Sequence, residues 1–181
     1  MMLKRKQLQL KILKININSK KINVSFNSEN KYYNAEYYLI KKGLHKYFNI
    51  DKFKIMYTEN GKPYLDNNVY LSISHDKDIV VVALSNVRVG IDIQYYRKLD
   101  IDALNNMNKL LNISSNTITN FSIKEAILKL NGDVFKNINN YDINDYYVVS
   151  HYTKKYIIIC VYHKYMIKWI STWRRNNEKI F

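Results

Sequence analysis

Residues 79–84 read IVVVAL, a run of apolar side chains with no polar break. Successive side chains on a strand point to opposite faces, so this run has no face to give to water. It predicts a central strand covered on both sides, in a fold with more than one layer. Its neighbours, residues 69–74 (VYLSIS) and 87–94 (VRVGIDIQ), alternate in part and predict two further strands.

The rest of the chain falls into place around these strands. Residues 8–26 alternate roughly and predict strands, with a hairpin around Ser19 to Lys21. Residues 30–48 predict a helix with an apolar stripe at Tyr33, Tyr37, Ile40 and Leu44. TENGKPYL predicts a turn, with Asn60-Gly61 supplying positive φ and Pro63 stopping any helix. Residues 100–112 and 117–131 predict helices, the second capped by Asn131-Gly132. Tyr146–Tyr152 and Lys155–Tyr162 predict a closing strand pair, and the basic, aromatic segment from Lys164 to Phe181 has no clear period. The expected class is α+β, with two similar halves, each a small antiparallel sheet packed with helix. With 181 residues, four glycines and one proline, a single domain spanning 1–181 is expected, with approximate halves 1–86 and 87–181 and no long linker.

The net charge of +14 calls for an anionic partner: nucleic acid, membrane, a phosphorylated small molecule or an acidic protein. The lysines are spread rather than clustered, so charge alone does not choose. The chain is rich in Lys, Asn, Ile and Tyr together, a bias that AT-rich coding also produces. A nucleic-acid module would interleave stacking aromatics with Lys and Arg on one face. The seventeen tyrosines mostly stand beside apolar residues, where core packing accounts for them. The lone Cys160, within YIIICVY, reads as a small core hydrophobe, and a reducing cytoplasm suits it. The start, MMLKRKQLQLKILKI, has no continuous apolar stretch of the kind a secretory leader needs, and the longest apolar runs are too short to span a bilayer.

In VRVGIDIQ, Val87, Val89, Ile91 and Ile93 share one face; Arg88, Gly90, Asp92 and Gln94 share the other. Taken alone, this also fits an edge strand with a solvated polar face. Gly90 leaves room for backbone or ligand to come close beside Asp92. The helix TNFSIKEAILKLNG shifts the balance. At about 100° per residue, Ser122, Glu125 and Lys129 form one narrow polar stripe. Ile123, Ala126, Ile127 and Leu130 wall it on one flank, and Phe121 and Leu128 on the other. Lys124 falls away from the stripe and is expected at the surface. A plain Glu125–Lys129 helix pair is the bland alternative. LSISHD places serines at 72 and 74 and a histidine at a strand exit. No G-x-S-x-G elbow, zinc-type His/Cys spacing, P-loop or dinucleotide fingerprint is present.

In order, GKPYL, SISH, VGIDIQ and FSIKEAILK, spanning Gly61 to Lys129, resemble the signature of the Sfp-type 4′-phosphopantetheinyl transferases. The resemblance implies an α+β fold of two pseudo-symmetric halves with coenzyme A bound between them. It implies Mg²⁺-assisted (or Mn²⁺-assisted) transfer of phosphopantetheine to a serine of an acyl or peptidyl carrier protein, with 3′,5′-ADP leaving. The expectation for the chain as a whole is a cytoplasmic monomer acting without nucleic acid or membrane. By position, Asp92 and Glu125 correspond to metal ligands, with Gln94 as a third, neutral one. Glu125 also corresponds to the group that activates the serine. Lys129 corresponds to a phosphate contact linked to proton transfer. His75 corresponds to a contact to the coenzyme A phosphates, Lys62 to one near the nucleotide, and Lys31 is the nearest counterpart of a basic residue that meets the 3′-phosphate. Gln94 stands where many members have glutamate, Phe121 where tryptophan is usual, and the 95–120 segment is short and lacks an R-F-F-x-x-x-E stretch. A homologue that binds coenzyme A without turnover is the alternative closest to this reading.

Overall fold

The computed structural model describes residues 10–16, 31–77, 79–97, 100–112 and 117–164, with side chains from residue 33 onward. The predicted hairpin around Ser19 to Lys21 and the segment after Lys164 lie outside the described residues. The elements run β1 (Leu10–Asn16), α1 (Lys31–Phe48), β2 (Ile55–Tyr57), β3 (Pro63–Leu65), β4 (Tyr70–Asp76), β5 (Ile79–Ser85), β6 (Gly90–Tyr95), α2 (Ile101–Leu111), α3 (Thr117–Asn131), β7 (Tyr146–Tyr152) and β8 (Tyr156–His163), with single 3-10 turns at Phe135–Asn137 and Ile143–Asp145.

The described strands form small antiparallel sheets: β1-β5-β4, the β2-β3 hairpin, and β6-β8-β7. The fold is α+β, as the patterning predicts. β5 lies at the centre of the first sheet and is buried along its whole length. Its two faces feed different cores. Val80, Val82 and Leu84 pack with Leu39, Ile40 and Leu44 of α1. Ile79, Val81 and Ala83 pack with Ile91 and Ile93 of β6 and Ile158 and Cys160 of β8. The other face of β8, through Ile157, Ile159 and Val161, packs under Ala126, Ile127 and Leu130 of α3. The layers are therefore helix, sheet, sheet, helix, and the unbroken apolar run of β5 exists because both of its faces are interior.

β4 and β6 run parallel at the seam between the sheets, but they are joined by side chains. Ser72 Oγ accepts from Ile91 N at 3.0 Å, Ser74 Oγ from Ile93 N at 3.3 Å, and Asp76 Oδ2 from Tyr95 N at 2.8 Å. The repeat of two on each strand follows from the pleat. β6 is an edge strand of its own sheet, and these side chains satisfy amides that no strand pairs.

Several expectations change. The strand predicted from Val87 begins at Gly90, and TENGKPYL is the tip of the β2-β3 hairpin, with Gly61 at φ +75° as expected. The buried face of α1 is rotated toward Ala35, Leu39 and Gly43, leaving Tyr33 exposed, because the helix packs on β1 and β5. Gly132 (φ +71°) ends α3, with Asp133 N bonded to Leu128 O at 3.0 Å. Tyr146 and Tyr156 are core residues, but Tyr57, Tyr64, Tyr70, Tyr96, Tyr147 and Tyr152 are exposed. They lie on edge strands and loops, where the ring half-packs and the hydroxyl stays wet. Cys160 is free and buried, its thiol pushed up to about 12 by burial. Among the described residues no helix is long and apolar enough to cross a membrane.

Candidate active site

Asp92 is the centre of the site. β6 carries it on the face toward α3, and it is only 2% exposed. The close approach depends on Gly90, which α3 crosses in contact. Asp92 Oδ1 accepts from Ser74 Oγ at 2.9 Å and from Lys129 Nζ at 2.7 Å. Oδ2 accepts from Ser122 Oγ at 2.8 Å and from Gln94 Nε2 at 3.1 Å. A buried polar group needs such partners inside a fold. Lys129 Nζ also donates to Ser74 Oγ at 2.8 Å. The polar stripe Ser122–Glu125–Lys129 on α3 thus faces Asp92, and the apolar walls read from the sequence are the core on either side of it.

Glu125 differs from Asp92. Among the described residues its carboxylate has no hydrogen bond or ion pair, so the bland Glu125–Lys129 pair does not form; Lys129 pairs with Asp92 instead. Burial raises the Glu125 pKa above the usual carboxylate range; the Lys129 charge opposes this and the Asp92 charge adds to it. A half-buried, unpartnered carboxylate beside a second carboxylate fits a hard divalent cation, which Mg²⁺ satisfies with one or two carboxylates, waters and substrate phosphates. Among the described residues no cluster of three His, Cys, Asp or Glu could hold a metal alone. Gln94 Nε2 donates one of its two N–H groups to Asp92, which leaves its carbonyl oxygen available as an acceptor.

The remaining candidates are spread around this centre. Lys62 donates from Nζ to Leu130 O, at the C-terminal end of α3, at 2.9 Å. Burial, and then the Arg88 charge, lower its pKa. A pocket of about 230 Å³ joins Lys62 to Lys129, and a wider cleft of about 1360 Å³ has Lys62 and Arg88 in its wall. His75 is on the opposite face of β4 from Ser74, with Nδ1 3.6 Å from Glu36 Oε1 of α1. Burial raises the Glu36 pKa, with His75 opposing. Lys31 opens α1, but its side chain lies outside the described residues. The structure thus brings Asp92, Gln94, Glu125 and Lys129 together, sets Lys62 one pocket away, and turns His75 toward α1.

Ser74 and Ser122 enter as unassigned members of the site. Their signal was legible: serines at period two on β4 and one on the walled stripe of α3. Lys124 is a correction. It is 8% exposed rather than at the surface. Its Nζ donates to Leu111 O at 2.8 Å and to Asn139 Oδ1. α2 packs against that side of α3 and leaves its last carbonyls to be capped.

No family model matches the chain. Among curated proteins it is similar to the 4′-phosphopantetheinyl transferase gsp of Aneurinibacillus migulanus, at 42% identity over 65 residues, which is 35% of this chain and 27% of that protein. The match therefore spans about a quarter of the relative's length. With the ordered motifs from Gly61 to Lys129, the α+β layers and this relative, the chain is similar, over that part of its length, to the Sfp-type 4′-phosphopantetheinyl transferases.

Proposed function

We propose that the protein transfers the 4′-phosphopantetheine group of coenzyme A to a serine hydroxyl of an acyl or peptidyl carrier protein. The serine oxygen bonds to the phosphorus that carries pantetheine, the bond from that phosphorus to the bridging oxygen breaks, and 3′,5′-ADP leaves. The observation that carries this reading is the pairing of opposites at one place: a buried Asp92 with four hydrogen-bond donors beside a half-buried, unpartnered Glu125. Glu125 suits the acceptor of the serine proton, because a raised pKa brings a carboxylate nearer to neutral working pH. Lys129, fixed by Asp92 and Ser74, presents positive charge where nonbridging oxygens gain negative charge. Asp92, on giving up one of its four donors, and Glu125, with the Gln94 carbonyl, are the residues that would hold Mg²⁺ or Mn²⁺, which when bound would neutralise the diphosphate. Lys62, His75 and Lys31 are the candidates for the coenzyme A phosphates.

On this reading the described chain works as one domain, as a monomer in the cytoplasm, with halves near 1–86 and 87–181. A labelled coenzyme A transfer assay with a panel of apo carrier proteins tests it. The expected result is metal-dependent labelling of at least one carrier by the wild type and none by Asp92→Ala. Binding of coenzyme A without labelling of any carrier favours the second reading, a homologue without turnover. The neutral Gln94, turned to Asp92, is the feature that supports that second reading.

A further inference from the structure

Ser72 and Ser74 are chemically identical and stand two residues apart on one face of β4. Each hydroxyl accepts one backbone N–H from β6, at 3.0 and 3.3 Å. For Ser72 that is its one side-chain hydrogen bond among the described residues. Ser74 does more: its Oγ donates to Asp92 Oδ1 at 2.9 Å and accepts from Lys129 Nζ at 2.8 Å. A hydroxyl has one proton and two lone pairs. With Asp92, Lys129 and Ile93 N all three are used, so the hydroxyl has a single orientation.

The consequence falls on Lys129. An ammonium has three N–H donors, and two of them are taken by Asp92 and Ser74. The third is left over on a side chain that is 30% exposed. We propose that Ser74 is a positioning residue: it fixes the Lys129 ammonium so that its remaining N–H addresses an incoming phosphate. Asp92 alone leaves the ammonium free to swing about one contact; the second acceptor, anchored to β4, removes that freedom.

The kinetic arm of the test rests on the proposed transfer, and the labelling arm does not. Ser72→Ala, Ser74→Ala and Ser74→Thr are compared with wild type. The amine of Lys129 is acylated with an amine-specific reagent and its rate read by peptide mass spectrometry, relative to exposed Lys109. Both alanine variants lose one bond across the seam and lower the melting temperature, Ser74→Ala by more because it also gives up its contacts to Asp92 and Lys129. Only Ser74→Ala speeds Lys129 labelling several-fold and lowers kcat, by about tenfold, with little change in the coenzyme A KM. Ser74→Thr, which keeps the hydroxyl, retains slow labelling. Equal Lys129 labelling in the two alanine variants overturns the proposal, and so does a wild-type kcat in Ser74→Ala. If wild type transfers nothing, the transfer reading fails, while the labelling contrast still decides the role of Ser74.

Discussion

Gly90 meets the backbone of Ala126 with no space for another atom: a Cβ on Gly90 would come within 1.9 Å of the Ala126 carbonyl oxygen and 2.8 Å of Leu130 N. This contact is what lets α3 lie close enough to β6 for Ser122 and Lys129 to reach Asp92. The obstacle is backbone on both sides, so no side chain can swing away. Gly90→Ala is expected to destabilise the fold by about 3 kcal/mol or more, the upper range for overpacking. Denaturant unfolding measures this, and a variant within about 0.5 kcal/mol of wild type would mean that α3 does not pack this way.

Glu125→Gln separates function from stability. Burial raises the Glu125 pKa, so between the ordinary glutamate value and the raised one the folded state binds more protons than the unfolded state. Stability from this group is complete below the ordinary value and is lost as pH rises through the raised one. The glutamine variant lacks that loss. Its melting temperature should match or exceed wild type at pH 7, with the advantage shrinking as pH falls toward 4.5, the ordinary value. Transfer should drop by about 10²–10⁴-fold if the carboxylate takes the serine proton. A melting point lowered at pH 7, with transfer intact, would make Glu125 structural.

How far the sequence carried these conclusions varied by element. The helix 117–131 and the strands through 69–85 were legible because their apolar patterns match the faces they bury. Asp92, Glu125 and Lys129 were legible through the walled stripe and the ordered motifs. The face that carries Ser74 was legible too, but its contacts to Asp92, Lys129 and β6 were not, because a strand's period gives a face and not which edge of another sheet that face meets. Lys124 misled for a similar reason: its helical angle points away from Asp92, and only the packing of α2 against α3 makes that direction interior. The β2-β3 hairpin was hidden by its shortness; strands of three residues have too little pattern to see.

Lys124 joins α3 to the end of α2. Its ammonium is lowered in pKa by burial and held by Leu111 O and Asn139 Oδ1, while Asn139 Nδ2 donates to Leu110 O at 2.7 Å. Lys124→Met keeps the stem and removes the donors, leaving two acceptors without a partner. The expected cost is about 1–3 kcal/mol, with faster amide exchange across Ile101–Leu111 and no comparable change in β6. Unchanged protection of α2 in Lys124→Met would show that the small cluster of Leu111, Leu128 and Ile138 holds the helix unaided.

Gln94 offers the sharpest test of the metal arrangement. Its Nε2 donates to Asp92 Oδ2 at 3.1 Å, so it steadies that carboxylate without adding charge. Two carboxylates on separate elements are an incomplete shell for a hard cation, which substrate phosphates complete. Metal and coenzyme A should therefore bind with positive coupling, each raising the affinity of the other by the same factor. Gln94→Glu changes both sides of this balance. Without metal it replaces a donor by a like charge against Asp92, so the melting temperature falls. With Mg²⁺ or Mn²⁺ it supplies a third carboxylate, so that loss is recovered, metal affinity in the absence of coenzyme A rises, and the coupling shrinks. Gln94→Ala should cost less transfer than Asp92→Ala, since only the latter removes charge. Calorimetric titration of the metal, with and without coenzyme A, reads each of these terms. Tight metal binding by wild type that coenzyme A leaves unchanged, or a Gln94→Glu variant indifferent to metal, would show that Asp92 and Glu125 do not share an ion.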